Sequence, residues 1–333
     1  MLDPSSPKLL PTLRTLAAEL HTVFDDTFLH LGFDEVHWDC YDTPRVNAWM
    51  AEVGIKGGDY KGVVRWMLGK LQESMVGTAS STATAATAAT AATDITAPTV
   101  ATTSTTASTS TANPPPRRAV VWNEAFDQYG AAAFPPATAA PTELRGDAVV
   151  QIWYSPAWYD PPTGLRVAKT VADVVATGRG ALVSFPWYLN ANATAGPSFE
   201  SLWLQDVQSN KTCQPPGQMT KDVRHLSSQE QERALGAANC TCYGRGGDVE
   251  DSCYDVTDAA QLARVLGGEA ALWGEAVDAG NFERAAFLGS TVVAERLWSP
   301  RATLDVGDAK RRLVRMQEVM AVRGFADTVL PPF

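Results

Sequence analysis

Five short apolar runs constrain the fold of this chain more than any other feature of its sequence. They cover residues 27–31, 119–122, 149–153, 181–185 and 269–273. Stretches with helical periodicity surround them, at 7–24, 46–53, 60–75, 167–177, 258–266, 282–298 and 309–323. Strands that alternate with helices are typical of a parallel sheet, whose functional residues lie at the carboxyl ends of the strands. The sequence therefore predicts an α/β fold with five strands.

The first strand leads into two adjacent carboxylates, Asp34 and Glu35. Neighbouring side chains of a regular strand point to opposite faces, so both acids reach one pocket only where the chain leaves the ladder, which Gly32 permits. A nucleophile and a proton donor on either side of a sugar ring stand about 5 Å or more apart, which adjacent residues do not easily achieve. The pair therefore suits one proton donor and one positioning residue, with a nucleophile from elsewhere, such as the substrate. The alternative is a structural one, in which an acid caps the next helix.

Aromatic residues gather where the other strands end. Four tryptophans and a tyrosine stand there: Trp122, Trp153, Trp187, Tyr188 and Trp273. Aromatic planes pack on the apolar C–H faces of pyranose rings, while Asn190 and Glu275 offer polar groups to sugar hydroxyls. As a set, these residues predict the walls and rim of a sugar-binding pocket; the alternative is that each ring packs beneath a helix. For two further acids, Glu124 and Glu295, we expect structural ion pairs.

Composition and cysteine usage narrow the class of protein. A net charge of −10 and a pI near 4.9 argue against a nucleic-acid or anionic-membrane partner. No apolar run approaches the roughly 18 residues of a membrane span. Four cysteines cluster without the Cys-x-x-Cys spacing that zinc sites favour, so two disulfides are expected: Cys213, Cys240, Cys242 and Cys253. Glycosylation sequons, which also indicate an oxidising compartment, begin at Asn192, Asn210 and Asn239.

Two segments interrupt the strand and helix pattern. Residues 77–116 are dominated by Ala, Thr, Ser and Pro and have no core-facing stripe, which predicts a disordered insertion. Residues 205–256 hold the clustered cysteines and are predicted to form a disulfide-stapled surface loop. The start of the chain lacks the basic and apolar regions of a signal peptide. For a chain that otherwise looks secretory, we expect that part of the N-terminus is missing.

Six sequence segments together resemble one enzyme family. They are His30-Leu-Gly-Phe-Asp-Glu-Val, Val121-Trp-Asn-Glu, Gln151-Ile-Trp, Phe185-Pro-Trp-Tyr-Leu-Asn, Gly268-Glu-Ala-Ala-Leu-Trp-Gly-Glu and Ala294-Glu-Arg-Leu-Trp. In order and approximate spacing they resemble the β-N-acetylhexosaminidases of glycoside hydrolase family 20, of the eukaryotic lysosomal and secreted type. The resemblance covers most of residues 1–333. It implies exo-hydrolysis of terminal β-linked N-acetylhexosamine from a glycan by a retaining mechanism in which the substrate's acetamido group is the nucleophile.

The resemblance also implies a role for each predicted site residue. Glu35 would be the general acid/base, and Asp34 would hold the acetamido N–H. Tyr188 would donate a hydrogen bond to the acetamido oxygen, and the acetamido methyl group would be enclosed by Trp122, Trp153 and Trp273. Asn190 and Glu275 would bind sugar hydroxyls, and His30 would orient the acid pair, for which plain packing is the alternative. Trp187 is predicted as a wall only through the aromatic set described above. No metal or cofactor is implied. A lysosomal, vacuolar or secreted location and a homodimer would be in keeping with the family.

The chain departs from the family pattern in two ways. A complete (β/α)₈ barrel has eight strands in typically about 250 residues, whereas five strands are predicted here. The resemblance implies that the first three barrel strands are missing. Phe33 stands beside the acid pair where the family usually has glycine. Two alternatives to an active hydrolase therefore stay open: a catalytically impaired carbohydrate-binding relic, and a wall or matrix glycoprotein built around the Ala/Thr tract.

Overall fold

The computed structural model describes most of the chain outside its low-complexity and cysteine-rich segments. The described residues are 2–76, 117–127, 144–153, 170–185, 187–190, 202–203, 206–209, 211–214, 239–242, 255–300 and 305–325. The predicted insertion at 77–116 lies outside these residues, as do the sequon positions Asn192 and Asn210. Within the described part, no helix is both long and apolar enough to cross a membrane.

A parallel sheet of five strands forms the centre of the molecule. The strands are β1 (Phe28–His30), β2 (Arg118–Trp122), β3 (Val149–Ile152), β4 (Gly180–Val183) and β7 (Val265–Gly268), in the order β1-β2-β3-β4-β7. All four pairings are parallel, so the carboxyl ends of the strands meet at one edge. Among the described residues, β1 and β7 do not pair with each other, and the sheet is open. The predicted α/β fold is confirmed.

Burial is uneven across this sheet. All four residues of β3 are buried, and the inward residues of β2 and β4 are buried as well. In contrast, β1 alternates between exposed and half-buried positions, and β7 is no more than half-buried. Continuous apolar burial is characteristic of strands covered on both faces. The core of the molecule therefore lies around β2, β3 and β4.

Three helices precede the second strand of the sheet. They are α1 (Leu9–Val23), α2 (Pro44–Glu52) and α3 (Tyr60–Leu71), which continues as a π-helical turn, Gln72–Val76. Thr43 caps α2 by accepting a hydrogen bond from the Val46 N–H (3.2 Å), and Asp59 caps α3 in the same way. The buried face of α3 packs into the core through Val64, Met67 and Leu71. These helices place the acidic segment that follows β1.

The remaining α-helices follow the later strands. They are α4 (Asn123–Asp127), α5 (Val171–Ala176), α6 (Ala259–Leu262), α7 (Gly289–Trp298) and α8 (Val306–Val322). Thr170 and Asp173 form a reciprocal capping box at the start of α5. Glu295 of α7 pairs with Arg312 of α8, whose Nε lies 2.6 Å from the carboxylate. The predicted ion pair of Glu295 is confirmed.

The fifth strand lies four residues earlier than predicted. Residues 265–268 pair with β4, and only an isolated bridge between Tyr188 and Ala271 continues toward the predicted run at 269–273. The predicted helix at 258–266 accordingly shortens to α6. Gly268 explains the position of the strand, because a Cβ there would lie 2.2 Å from the ring of Trp187. Only glycine lets β7 pass this buried ring.

Part of the predicted 205–256 insertion is described. A two-stranded antiparallel ladder forms from β5 (Lys211–Gln214) and β6 (Asn239–Cys242), with Cys213 opposite Cys240. Cys253 lies outside the described residues, so the predicted disulfides stay predictions. Cys40 is an exposed free thiol.

Candidate active site

A cavity of about 300 Å³ opens at the carboxyl edge of the sheet. Eight residues line it: Asp34, Glu35, Trp122, Trp153, Tyr188, Asn190, Trp273 and Glu275. All eight are residues that the sequence predicted for the site. Small-molecule sites commonly begin at about this volume, which fits a single sugar unit. The segments after all five strands therefore converge on one cavity.

The acidic segment reaches this cavity by leaving the sheet. Pairing with β2 ends where the Trp122 N–H donates to the Gly32 carbonyl (2.9 Å). Three of the four residues 32–35 adopt left-handed backbone conformations, with φ of 80° at Gly32, 75° at Phe33 and 45° at Glu35. Such values are uncommon for residues with a Cβ and carry a conformational cost. This turn, which the sequence anticipated at Gly32 alone, brings both Asp34 and Glu35 to the cavity.

A buried carboxylate supports the turn from behind. Glu124, at the start of α4, is 1% exposed. Its Oε1 accepts a hydrogen bond from the backbone N–H of Glu35 (3.1 Å), and its Oε2 accepts one from the indole N–H of Trp153 (2.8 Å). The adjacent Asn123 accepts a hydrogen bond from the backbone N–H of Trp153 (3.1 Å). The end of β2 thus holds parts of both the acidic segment and the aromatic wall.

The aromatic walls form a connected set of rings. Trp153 and Tyr188 are parallel to within 2°, with centroids 6.3 Å apart. Trp273 meets Tyr188 at 64° and Trp122 at 49°, again with centroids 6.3 Å apart. The spacing and angles lie within the range of favourable aromatic pairs. The rings and the acid pair thus line the same cavity.

Tyr188 is held in its protonated form. Burial raises the pKa of its phenol well above the ordinary value, and the hydrogen bond with Trp273 opposes this shift. The negative charges of Glu124, Glu269 and Asp34 add to the increase. Tyr188 therefore presents an O–H group that can donate a hydrogen bond to an oxygen atom in the cavity.

Two polar residues also line the cavity, Asn190 and Glu275. Glu275 is exposed in a short 3₁₀ turn, Gly274–Ala276, directly after Trp273. The side-chain oxygen of Asn190 accepts a hydrogen bond from the backbone N–H of Trp273 (3.3 Å). A carboxylate and an amide in this position can accept and donate hydrogen bonds to hydroxyl groups.

Two predicted site residues do not line the cavity. Trp187 is fully buried, and its indole N–H donates to the Leu202 carbonyl (3.0 Å), so the prediction that it forms a wall is corrected. The physical reason is strand alternation: Trp187 and Tyr188 point to opposite sides, and only Tyr188 faces the cavity.

His30, the second of these residues, lies behind Trp122, with ring centroids 4.9 Å apart. Its Nδ1 accepts a hydrogen bond from the Gly32 N–H (3.0 Å). His30 as a whole keeps an exposed surface. Burial of its ring nevertheless lowers the pKa of His30, whereas a hydrogen bond with Gln151 and the negative charge of Asp34 oppose this shift. His30 therefore contacts the turn and one wall and does not face the cavity.

The sequence did not predict the supporting role of Glu124. Its carboxylate accepts hydrogen bonds from two N–H groups of the site, whereas the sequence led us to expect a structural ion pair. One signal was available, because Glu124 follows Trp122 at the carboxyl end of a buried strand, as the site residues do.

Among the described residues, no group of three or more His, Cys, Asp and Glu side chains is arranged to hold a metal ion.

Comparisons with solved structures agree with this arrangement of strands. The chain superposes on an exo-β-N-acetylglucosaminidase from Vibrio harveyi, solved in complex with N-acetylglucosamine, with a TM-score of 0.52 and 14% identity over 98% of this chain and 36% of that one. A chitobiase from Flavobacterium johnsoniae gives a TM-score of 0.51 at 18% identity, over 98% and 34% of the two chains. At these identities the likeness concerns the fold.

Sequence comparisons identify the family. The chain is 25% identical to the β-hexosaminidase α subunit of Bos taurus, over 96% of this chain and 42% of that protein. It is also 25% identical to the human β subunit, over 97% and 40%. The chain thus spans about two fifths of the length of these relatives. The family model for the catalytic domain of glycosyl hydrolase family 20 matches residues 1–301, and the chain therefore belongs to that family.

Proposed function

We propose that this chain provides the active site of an exo-acting β-N-acetylhexosaminidase, which removes terminal β-linked N-acetylglucosamine or N-acetylgalactosamine from glycans. One observation carries the proposal: an adjacent acid pair and a box of aromatic rings line the same sugar-sized cavity. The names of the relatives, which are hexosaminidases, support it.

In the proposed first step, Glu35 donates a proton to the oxygen of the leaving group as the bond from that oxygen to the anomeric carbon breaks. The carbonyl oxygen of the substrate's own acetamido group attacks the same carbon and forms a bicyclic oxazolinium ion. In the second step, the Glu35 carboxylate takes a proton from water, which attacks the anomeric carbon and reopens the ring. Two inversions give net retention.

The other cavity residues have defined parts in this proposal. Asp34 accepts a hydrogen bond from the acetamido N–H and stabilises the positive charge that develops on the group. Tyr188 donates to the acetamido oxygen and fixes its direction of attack, in keeping with its protonated state. A nucleophile tethered in this way reaches an effective molarity of about 10⁵ M or more. Asn190 and Glu275 bind hydroxyl groups at the rim.

We also propose that the open sheet is part of a (β/α)₈ barrel. Its five strands are all parallel, and the candidate site lies at their carboxyl ends, as it does in barrels of this type. In the barrel, three further strands would lie between β1 and β7. The insertions at 77–116 and 205–256 would then be surface additions between barrel elements.

The cellular setting is part of the same proposal. The relatives and the cysteine-rich, sequon-bearing sequence favour a glycoprotein with disulfides in the lysosome or vacuole, or outside the cell. A homodimer is proposed by the same family analogy.

The test is hydrolysis of a chromogenic N-acetyl-β-glucosaminide by the protein expressed from its complete reading frame. We expect release of the chromophore near pH 4.5 and a loss of about 10²-fold or more in Glu35→Gln, the usual contribution of a general acid. The matched α-anomer is the control substrate and should not react. A folded wild-type protein that leaves the β-anomer intact would contradict the proposal.

A carbohydrate-binding protein without turnover is the second candidate. Phe33 favours it, because this bulky residue holds a left-handed conformation next to the acid pair. Binding of N-acetylglucosamine, measured by calorimetry, without hydrolysis of either anomer would establish this candidate.

A further inference from the structure

Glu124 joins two functional parts of the cavity that are distant in sequence. Its carboxylate contacts the acidic segment 89 positions earlier and the aromatic wall 29 positions later. We infer that Glu124 is a positioning residue, which fixes the backbone of the proton donor and the indole of Trp153 relative to each other. This inference rests on the function proposed above and adds a residue to its machinery.

The backbone conformation of Glu35 needs an external restraint. Its φ of 45° is one that residues with a Cβ rarely adopt, and such a conformation persists only when its surroundings hold it. The residue itself is exposed, so packing around its side chain provides little of this restraint. The hydrogen bond from the Glu35 N–H to Oε1 of Glu124 fixes the backbone from which the Glu35 side chain projects.

The orientation of Trp153 also needs a restraint. An indole ring that lines a cavity can rotate about its side-chain torsions, and its N–H is its only hydrogen-bond donor. The hydrogen bond from the indole N–H to Oε2 of Glu124 fixes the orientation of the ring. The hydrogen bond from the Trp153 backbone N–H to Asn123 fixes the backbone that carries the ring. The stacked contact with Tyr188 completes the restraint.

The buried environment of the Glu124 carboxylate makes its hydrogen bonds necessary. Glu124 is almost entirely buried, and a buried acid is costly unless its oxygens are hydrogen-bonded. Each oxygen accepts a hydrogen bond from a group of the site. A glutamine side chain has one acceptor oxygen and one NH₂ donor. It can therefore accept a hydrogen bond from one of these two N–H groups, while its NH₂ group faces the other N–H and forms no hydrogen bond with it. Glu124→Gln therefore changes the restraint with almost no change in volume.

The test compares leaving groups. If Glu124 positions the proton donor, Glu124→Gln should lower kcat/KM most for substrates that need a proton. We expect a loss of about 10²-fold for N,N′-diacetylchitobiose, within the range of general acid catalysis, and a loss several times smaller for the 2,4-dinitrophenyl glycoside, which departs without protonation. Equal losses for the two substrates, or no loss, would overturn the inference.

Two variants separate positioning from general damage. Trp153→Phe removes the indole donor and leaves the Glu35 contact, so it should raise KM for both substrates by the same factor. Asp127→Asn changes a second buried acid of α4, whose carboxylate accepts from Asn123 (2.7 Å), and should show no dependence on the leaving group. A leaving-group dependence in Asp127→Asn equal to that in Glu124→Gln would overturn the inference.

Binding decides the matter if the wild-type protein turns over neither substrate. The proposed function then fails, and the affinity for N-acetylglucosamine is measured by calorimetry. Glu124→Gln should weaken this affinity, because a glutamine cannot accept hydrogen bonds from both the Glu35 N–H and the Trp153 indole N–H. An unchanged affinity in Glu124→Gln would overturn the inference.

Discussion

The centre and the flanks of the sheet differ in burial and in function. The central strands β2, β3 and β4 are largely buried, whereas β1 and β7 at the flanks are at most half-buried. The acid pair follows β1, and Trp273 and Glu275 follow β7. Within the described sheet, the residues of the proposed chemistry thus lie largely beside the less buried strands.

Two side chains of the centre accept hydrogen bonds from the main chain of the flanking functional segments. Glu124, after β2, accepts from the backbone N–H of Glu35, and Asn190, after β4, accepts from the backbone N–H of Trp273. The two bonds have the same form. A buried centre can thus position exposed functional segments by hydrogen bonds to their main chain, without burying them.

Phe33 should show the largest change in stability. It is nearly buried and lines a second, apolar cavity with Leu31, Val64 and Met67, so Phe33→Ala should cost about 3–5 kcal/mol of unfolding free energy. Phe33→Gly should cost about 1 kcal/mol less, because glycine adopts the φ of 75° without strain. Denaturant unfolding of both variants measures the difference. If Phe33→Gly is the less stable of the two, the backbone at this position is not left-handed.

The contrast between centre and flank can be measured by truncating one side chain in each. Ile152 of β3 is fully buried, so Ile152→Ala should cost about 2–5 kcal/mol. Leu29 of β1 is half-buried. In a protein that consists of residues 1–333, Leu29→Ala should therefore lower the unfolding free energy roughly half as much as Ile152→Ala does. Equal losses in unfolding free energy would mean that β1 is covered on both faces, which would break the comparison.

Asn190→Ala should have a moderate effect on substrate binding. The change removes one hydrogen bond to Trp273 and one polar group of the rim, and a neutral hydrogen bond contributes about 0.5–1.5 kcal/mol. We expect KM for the chromogenic glycoside to rise roughly 2- to 10-fold. Asn47→Ala, at an exposed position on α2, is the control and should leave KM unchanged.

His30 should give the smallest effect, visible as a pH dependence. Its pKa is lowered in the folded state, so between that value and the ordinary pKa near 6.5 the unfolded chain binds the proton more readily. Stability should therefore fall as the pH decreases through this window. The thermal midpoint of the wild type, relative to His30→Gln, should decrease from pH 7.5 to pH 5.5. A relative increase would show that the folded-state pKa is raised.

The sequence predicted the parts of the fold that depend on local patterning. Apolar runs located the first four strands, and helical periodicity located α1, α3 and α8, because burial on a sheet or a helix face leaves a direct trace in the order of residues. The resemblance to the family and the strand ends together gave the eight residues of the cavity.

The predictions were wrong where the structure depends on contacts between residues that are distant in sequence. Gly267 and Gly268 interrupt an apolar pattern, yet they form part of β7 because Trp187 packs against that strand. Trp187, which follows β4, was wrongly predicted to line the cavity, since composition alone does not fix which of two neighbouring residues faces it. The role of Glu124 depends on partners 89 and 29 positions away, which no local pattern reports.

The most direct test of the account is the dependence of hydrolysis on the nucleophilicity of the acetamido group. The measurement is kcat/KM for aryl β-glucosaminides that carry N-acetyl, N-fluoroacetyl, N-difluoroacetyl and N-trifluoroacetyl groups. The account predicts a steep decrease along this series, because each fluorine withdraws electrons from the carbonyl oxygen that attacks the anomeric carbon. Rates that stay constant across the series would mean that the nucleophile belongs to the protein, and would contradict the account.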